Sequence, residues 1–75
     1  MYTIYSKPSC SYCLQAKQLL ETKQLPFVYK ELGTHYDLYE LMTLAPNAKS
    51  FPQVFKDGVL VGGYSDLVES LKQEY

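Results

Sequence analysis

Apolar positions run through Tyr2-Thr3-Ile4-Tyr5 in a strand-like stretch and then, from Tyr12 onward, recur at helical spacing. A first strand is read over Tyr2–Ser6. Lys7-Pro8-Ser9 turns the chain into a helix reaching about Gln24, on which Tyr12, Cys13, Ala16, Leu19 and Leu20 share one face while Leu14 falls off it. Pro26 closes that region, Phe27–Leu32 is a second β-rich run, and Gly33 breaks it. Thr34-His35-Tyr36-Asp37 has the Thr-x-x-acid form of a capping box, and Leu38, Leu41, Met42 and Ala45 follow at helical spacing up to Pro46. After the loop Asn47–Ser50, the runs Gln53–Lys56 and Val59–Gly62 flank Asp57-Gly58, a type I′ hairpin signal. The last helix is expected to start near Ser65 or Asp66, either of which can cap it, and to turn Leu67, Val68 and Leu71 inward. The order βαβαββα predicts an α/β fold with a four-stranded mixed sheet and helices on both faces.

Composition narrows the classes. Seventy-five residues without linker, repeat or low-complexity segment make one expected domain, 1–75, near the lower limit for a hydrophobic core without metals or several disulfides. Apolar residues are 47% of the chain and eight are tyrosines, which is enough for a core. Seven lysines stand against eight acids, giving a net charge of −1, which argues against a general nucleic-acid surface. No apolar run approaches the roughly eighteen residues of a membrane span, and Met1 leads directly into a strand without a basic or apolar leader. A cytoplasmic, monomeric protein is the expectation.

The chemistry concentrates at Cys10-Ser11-Tyr12-Cys13. Two cysteines so close together close too small a loop to staple much, so reactivity explains them better than stability does. A C-x-x-C opening a helix that follows a strand reads as a thiol redox site. At a helix N-terminus, unpaired N–H groups and the positive end of the dipole favour a thiolate. Cys10 is therefore the expected nucleophile, in a class whose pKa falls to roughly 3.5–7.5 from about 8.5. Cys13, one turn further on the inward side, is the expected resolving thiol. His35 is the only histidine and, with two cysteines, supplies too few ligands for a zinc site, so it is read as an exposed helix-start residue. Lys17, Lys23 and Lys72 are read as solvated, and the tyrosines and the leucine stripe as core.

Over its whole length the chain resembles the glutaredoxins, a family of the thioredoxin-like fold. The resemblance rests on Lys7, Cys10-Ser11-Tyr12-Cys13, Ala16-Lys17, Leu25-Pro26-Phe27, Phe51-Pro52-Gln53-Val54-Phe55, Gly62-Gly63 and Ser65-Asp66 in the family's order and spacing, and it is closest in character to compact bacterial and phage-type members. It implies a Cys10/Cys13 dithiol that reduces protein disulfides and glutathionyl mixed disulfides with glutathione as reducing cosubstrate. Ribonucleotide reductase is a target by analogy only. Lys7 would then lower the Cys10 pKa and pair with a glutathione carboxylate; the alternative is a solvated lysine. Pro52 resembles the family's cis-proline, which turns the Phe51 backbone toward a substrate; the alternative is an ordinary trans turn. Gly63 allows close approach of a ligand backbone, or is part of a plain bulge. Ser65 and Asp66 would hold the γ-glutamyl end of glutathione, or are simply caps. Tyr12 would line the groove, or is one half-buried tyrosine among eight.

The departures carry information too. Ser11 stands where proline is commoner, which loosens the turn and leaves room for a bridged iron–sulfur cluster. Ser50-Phe51 replaces the usual Thr-Val, so Phe51 adds an apolar wall. Only Asp66 remains where many members have two acids, and the polar contact on the second helix cannot be placed. Two rival readings follow: a dimer carrying a [2Fe–2S] cluster through Cys10 and glutathione, and a redoxin reduced by thioredoxin reductase, against which Lys7, Tyr12 and Asp66 argue.

Overall fold

The computed structural model describes residues 1–73, with side chains through 72. Strand β1 (Tyr2–Ser6) leads into α1 (Ser11–Thr22), β2 (Phe27–Glu31), α2 (Leu38–Leu44), the hairpin β3 (Gln53–Lys56) and β4 (Val59–Gly62), and α3 (Tyr64–Gln73). The sheet order is β2-β1-β3-β4. β1 pairs parallel with β2, Ile4 opposite Tyr29, and antiparallel with β3, Ile4 opposite Val54. The expected mixed sheet and thioredoxin-like connectivity are therefore present.

Alternation along β1 and β3 sends neighbouring side chains to opposite faces, and each face has its own core. Tyr2, Ile4 and Val54 pack with Ala16 and Leu20 of α1 and Leu67 and Leu71 of α3. Tyr5 and Phe55 pack on the other side with Tyr36, Leu41 and Ala45. Tyr5 meets Tyr36 and Phe55 edge-on, with ring centroids 4.9 and 5.4 Å apart. The helices thus cover both faces, α1 and α3 on one and α2 on the other.

Element ends differ from the sequence reading in instructive ways. Helix α1 stops at Thr22 because Gln24 takes a left-handed conformation, φ 58°, and the N–H groups of Gln24 and Leu25 close back on the carbonyls of Glu21 and Leu20. This is a Schellman ending, and Leu25 packs against the core beside Leu20. Helix α2 begins later than the Thr34 capping box implies. Asp37 is its N-cap, accepting the Glu40 N–H at 2.9 Å, while Thr34 and His35 form a turn in which Leu32 bridges Tyr36. His35 is exposed and accepts the Glu31 N–H on Nδ1, so it precedes the helix rather than starting it. The Asp57-Gly58 turn has φ of 52° and 84°, the backbone that a type I′ hairpin requires.

Candidate active site

The chain enters α1 through Ser9, whose φ of 59° lies in the left-handed region. Cys10 follows as N-cap with extended backbone, and its sulfur accepts the Cys13 N–H at 3.2 Å. The cap position that serine or aspartate usually fills with oxygen is filled here by sulfur, so a helix N–H points at the Cys10 Sγ. Cys10 and Cys13 are joined in a disulfide, Cα atoms 5.3 Å apart. Cys10 is half-buried and Cys13 fully buried, so only one sulfur of the pair is open to an incoming thiol.

The Phe51–Pro52 bond is cis, as the resemblance implies, and Pro52 is buried beneath the site. Gln53 Nε2 donates to the Ser50 carbonyl at 2.8 Å and so ties the strand to the loop before the proline. At the far end of β4, Gly62 has φ +126°, and a Cβ there would run into the Asp66 side chain. Glycine at 62 is what lets the Asp66 carboxylate fold back and accept the Gly63 N–H at 3.1 Å. A register shift between Val54 and Phe55 accompanies this corner. Helix α3 starts at Tyr64, one residue before Ser65: Gly63 occupies the cap position, its carbonyl accepting the Leu67 N–H, and Ser65 and Asp66 lie in the first turn. Asp66 is thus the acid half of a capping box whose other half is a bare backbone.

A groove of about 680 Å³ brings five of the expected site residues together: Tyr12, Phe51, Gly63, Ser65 and Asp66. Lys7, Cys10, Cys13 and Pro52 are not among the residues lining it; the Pro52 carbonyl lies 3.6 Å from where a Gly63 Cβ would stand. Lys7 is exposed, with its ammonium 5.4 Å from the Phe51 ring centroid. Tyr12 is 57% exposed and packs its ring at 5.7 Å on Tyr64. Tyr64, Lys49, Leu44 and Leu60 also line the groove, and the sequence reading did not single them out. The adjacency of the Pro46–Ser50 loop to Phe51-Pro52 was the available signal. For the two hairpin and helix residues none was, since their approach depends on the bulge. Tyr36 and Asp57, whose titration is displaced, lie outside the groove lining: burial pushes the Tyr36 phenol up to about 12, and the hydrogen bond from the N-terminal ammonium of Met1 lowers Asp57.

Such a site can perform thiol exchange at one accessible sulfur while a peptide-like ligand lies along the groove. The glutaredoxin family model matches residues 2–61. The chain is 33% identical over 66 residues to glutaredoxin 4 of Pasteurella multocida, covering 88% of this chain and 61% of that protein. It is 31% identical over 74 residues to glutaredoxin 1 of Rickettsia bellii, covering 93% and 76%. The chain therefore spans about three-fifths to three-quarters of these relatives' length. The solution structure of a Brucella melitensis glutaredoxin superposes with a TM-score of 0.72 at 36% identity, covering 97% of this chain and 78% of that one. The buckwheat glutaredoxin–glutathione complex shares the fold at a TM-score of 0.82 and 23% identity, covering 97% and 69%. With the family model matched over residues 2–61 and relatives above 30% identity, the chain belongs to the glutaredoxin family, and Cys10–Cys13 is its C-x-x-C pair, joined in a disulfide.

Proposed function

We propose that the protein is a glutathione-dependent oxidoreductase acting on protein disulfides and glutathionyl mixed disulfides in the cytoplasm. The observation that carries this reading is the convergence of Tyr12, Phe51, Gly63, Ser65 and Asp66 in one groove, Tyr12 lying in the chain between the two cysteines of a disulfide with a single accessible sulfur. The Cys10 thiolate attacks a target disulfide and releases one target thiolate. Cys13 then loses its proton and displaces the second, leaving Cys10–Cys13. A first glutathione thiolate attacks the accessible Cys10 sulfur and frees Cys13. A second takes the glutathionyl group as glutathione disulfide and restores the Cys10 thiolate. On a glutathionylated target, Cys10 alone accepts the glutathionyl group and passes it to a second glutathione.

The groove supports an orientation for the ligand. The N–H groups at the start of α3, near Ser65, suit the γ-glutamyl carboxylate, and the Asp66 carboxylate, held by only one N–H, has acceptor capacity left for the ammonium. The Phe51 backbone pairs with the cysteinyl unit and Lys7 meets the glycyl carboxylate. Ribonucleotide reductase is one candidate target. The deciding measurement is turnover of a disulfide substrate with NADPH and either glutathione plus its reductase or thioredoxin reductase. Glutathione should sustain turnover, and turnover with thioredoxin reductase alone would overturn the reading.

A further inference from the structure

The groove is chemically lopsided. One end, against α1 and α3, carries Tyr12, Ser65 and the carboxylate of Asp66; the other, against the loop after α2 and the edge of β4, is walled by Leu44, Pro46, Phe51 and Leu60. Leu44 and Leu60 are 49% and 45% exposed, so their hydrocarbon faces open solvent. Glutathione, γ-Glu-Cys-Gly, has no apolar side chain to bury there. Charge divides in the same way. Asp66 is the acid of the lining and Lys49 its base, and the Lys7 ammonium sits over the Phe51 ring at the apolar end. Neither Lys7 nor Lys49 is held by a salt bridge among the described residues.

Resting on the oxidoreductase reading above, we infer that this apolar arm is a docking site for the target polypeptide, and that it selects an extended segment with an apolar side chain and an acidic one beside the reactive cysteine. The apolar side chain covers Leu44, Pro46 and Leu60. The acid meets Lys49, with Lys7 adding field from above the Phe51 ring. A basic segment is disfavoured by both lysines, and an apolar segment without an acid leaves them solvated, so the arm's charge commits it to an acidic partner. The Phe51 backbone and Lys7 serve both occupants in turn, whereas Leu44, Pro46, Leu60 and Lys49 are left to the target and Ser65 and Asp66 to glutathione.

The test uses reduced protein and no glutathione. Short peptides are prepared with their single cysteine disulfide-bonded to thionitrobenzoate and flanked by Leu and Glu, Leu and Lys, Ser and Glu, or Ser and Lys. Cys10 attacks the peptide sulfur and the coloured thionitrobenzoate thiolate leaves; Cys13 then displaces the peptide thiol, closing the Cys10–Cys13 bond. The second-order rate constant should be about tenfold higher for the Leu/Glu peptide than for Ser/Lys, the scale of burying part of one leucine and pairing one rim charge. Leu44→Ser and Leu60→Ser should erase the preference for Leu, and Lys49→Glu should reverse the preference between Glu and Lys. Rates within about twofold across the four peptides would overturn the inference. So would a preference that survives all three surface variants. Because glutathione takes no part, failure of glutathione turnover would speak against the proposed function and leave this result standing.

Discussion

Cys10 and Cys13 sit one helical turn apart and differ in exposure, which supports the proposed roles of Cys10 as nucleophile and Cys13 as resolving thiol. The half-open Cys10 receives the Cys13 N–H, whereas Cys13, on the inward face of α1, is fully buried. In the reduced protein, alkylation by iodoacetamide should give one fast thiol, at Cys10, with a midpoint well below about 8.5. Cys13→Ser should keep deglutathionylation and lose reduction of protein disulfides; the opposite order of reactivity would exchange the assignments. Tyr36 gives a second residue-scale prediction. Its hydroxyl donates to the Ser6 carbonyl at 2.8 Å, and burial holds its pKa near 12 against 10.0. Between those values the unfolded chain releases a proton that the folded one retains, so folding stability falls as pH rises through that window. Tyr36→Phe should cost about 0.5–1.5 kcal/mol at neutral pH. Urea titrations at several pH values should also show a shallower fall between pH 10 and 12. The cysteine pair was legible in the sequence because a C-x-x-C at a helix start is a local pattern, whereas the cis bond at Pro52 was implied by the family resemblance alone. Leu60 and Tyr64 were not legible, because their place in the groove comes from segments folded together over distance.

Among the elements, the start of α3 has the most consequence for function. Asp66 caps the helix through the Gly63 N–H and lends the groove its carboxylate, two roles that substitutions can separate. Asp66→Asn keeps an acceptor oxygen for the cap and removes the charge. It should leave stability within about 0.5 kcal/mol and raise the KM for glutathione several-fold, with a smaller change in kcat. Asp66→Ala removes both and should add a stability loss of about 0.5–2 kcal/mol. An unchanged KM in both variants would take Asp66 out of the site. The same corner shows where sequence reading fails at element ends. Ser65 and Asp66 are good N-caps by type, yet the cap is Gly63, since only glycine at 62 lets the chain turn early enough for Asp66 to reach back. At α2 the Thr34 box competes with Asp37, and Asp37 wins because Leu32 and Tyr36 are bridged and hold the intervening residues out of a helix. Strand and helix identities survived both errors, since they rest on periodicity over many residues rather than on one hydrogen bond.

Taken as a whole, the molecule stands on two unequal cores separated by the sheet, and the groove loop belongs to the smaller one. Leu20, Leu67 and Leu71 lock α1 and α3 to one face, while α2 is anchored through Leu41, with Ala45 at its end and Ala48 and Phe51 packed alongside. A domain of this length has about 4–11 kcal/mol of stability, and truncating a buried leucine removes about 2–5 of it. Leu20→Ala should therefore weaken hydrogen-exchange protection throughout the sheet and bring the protein near global unfolding. Leu41→Ala removes the main contact of a seven-residue helix. A helix that short has little stability of its own, so the loss should open α2 and the Ala45–Phe51 loop locally while β1, β3 and α1 stay protected. The functional consequence differs accordingly. In Leu41→Ala the cysteines remain at the start of an intact α1, so alkylation of Cys10 should keep its rate and pH midpoint. Binding that depends on Leu44, Lys49 and Phe51 should weaken, raising the KM for protein disulfides. If exchange in Leu41→Ala instead rises evenly over the chain, α2 is not a separable unit, and the groove is as rigid as the sheet that carries the cysteines.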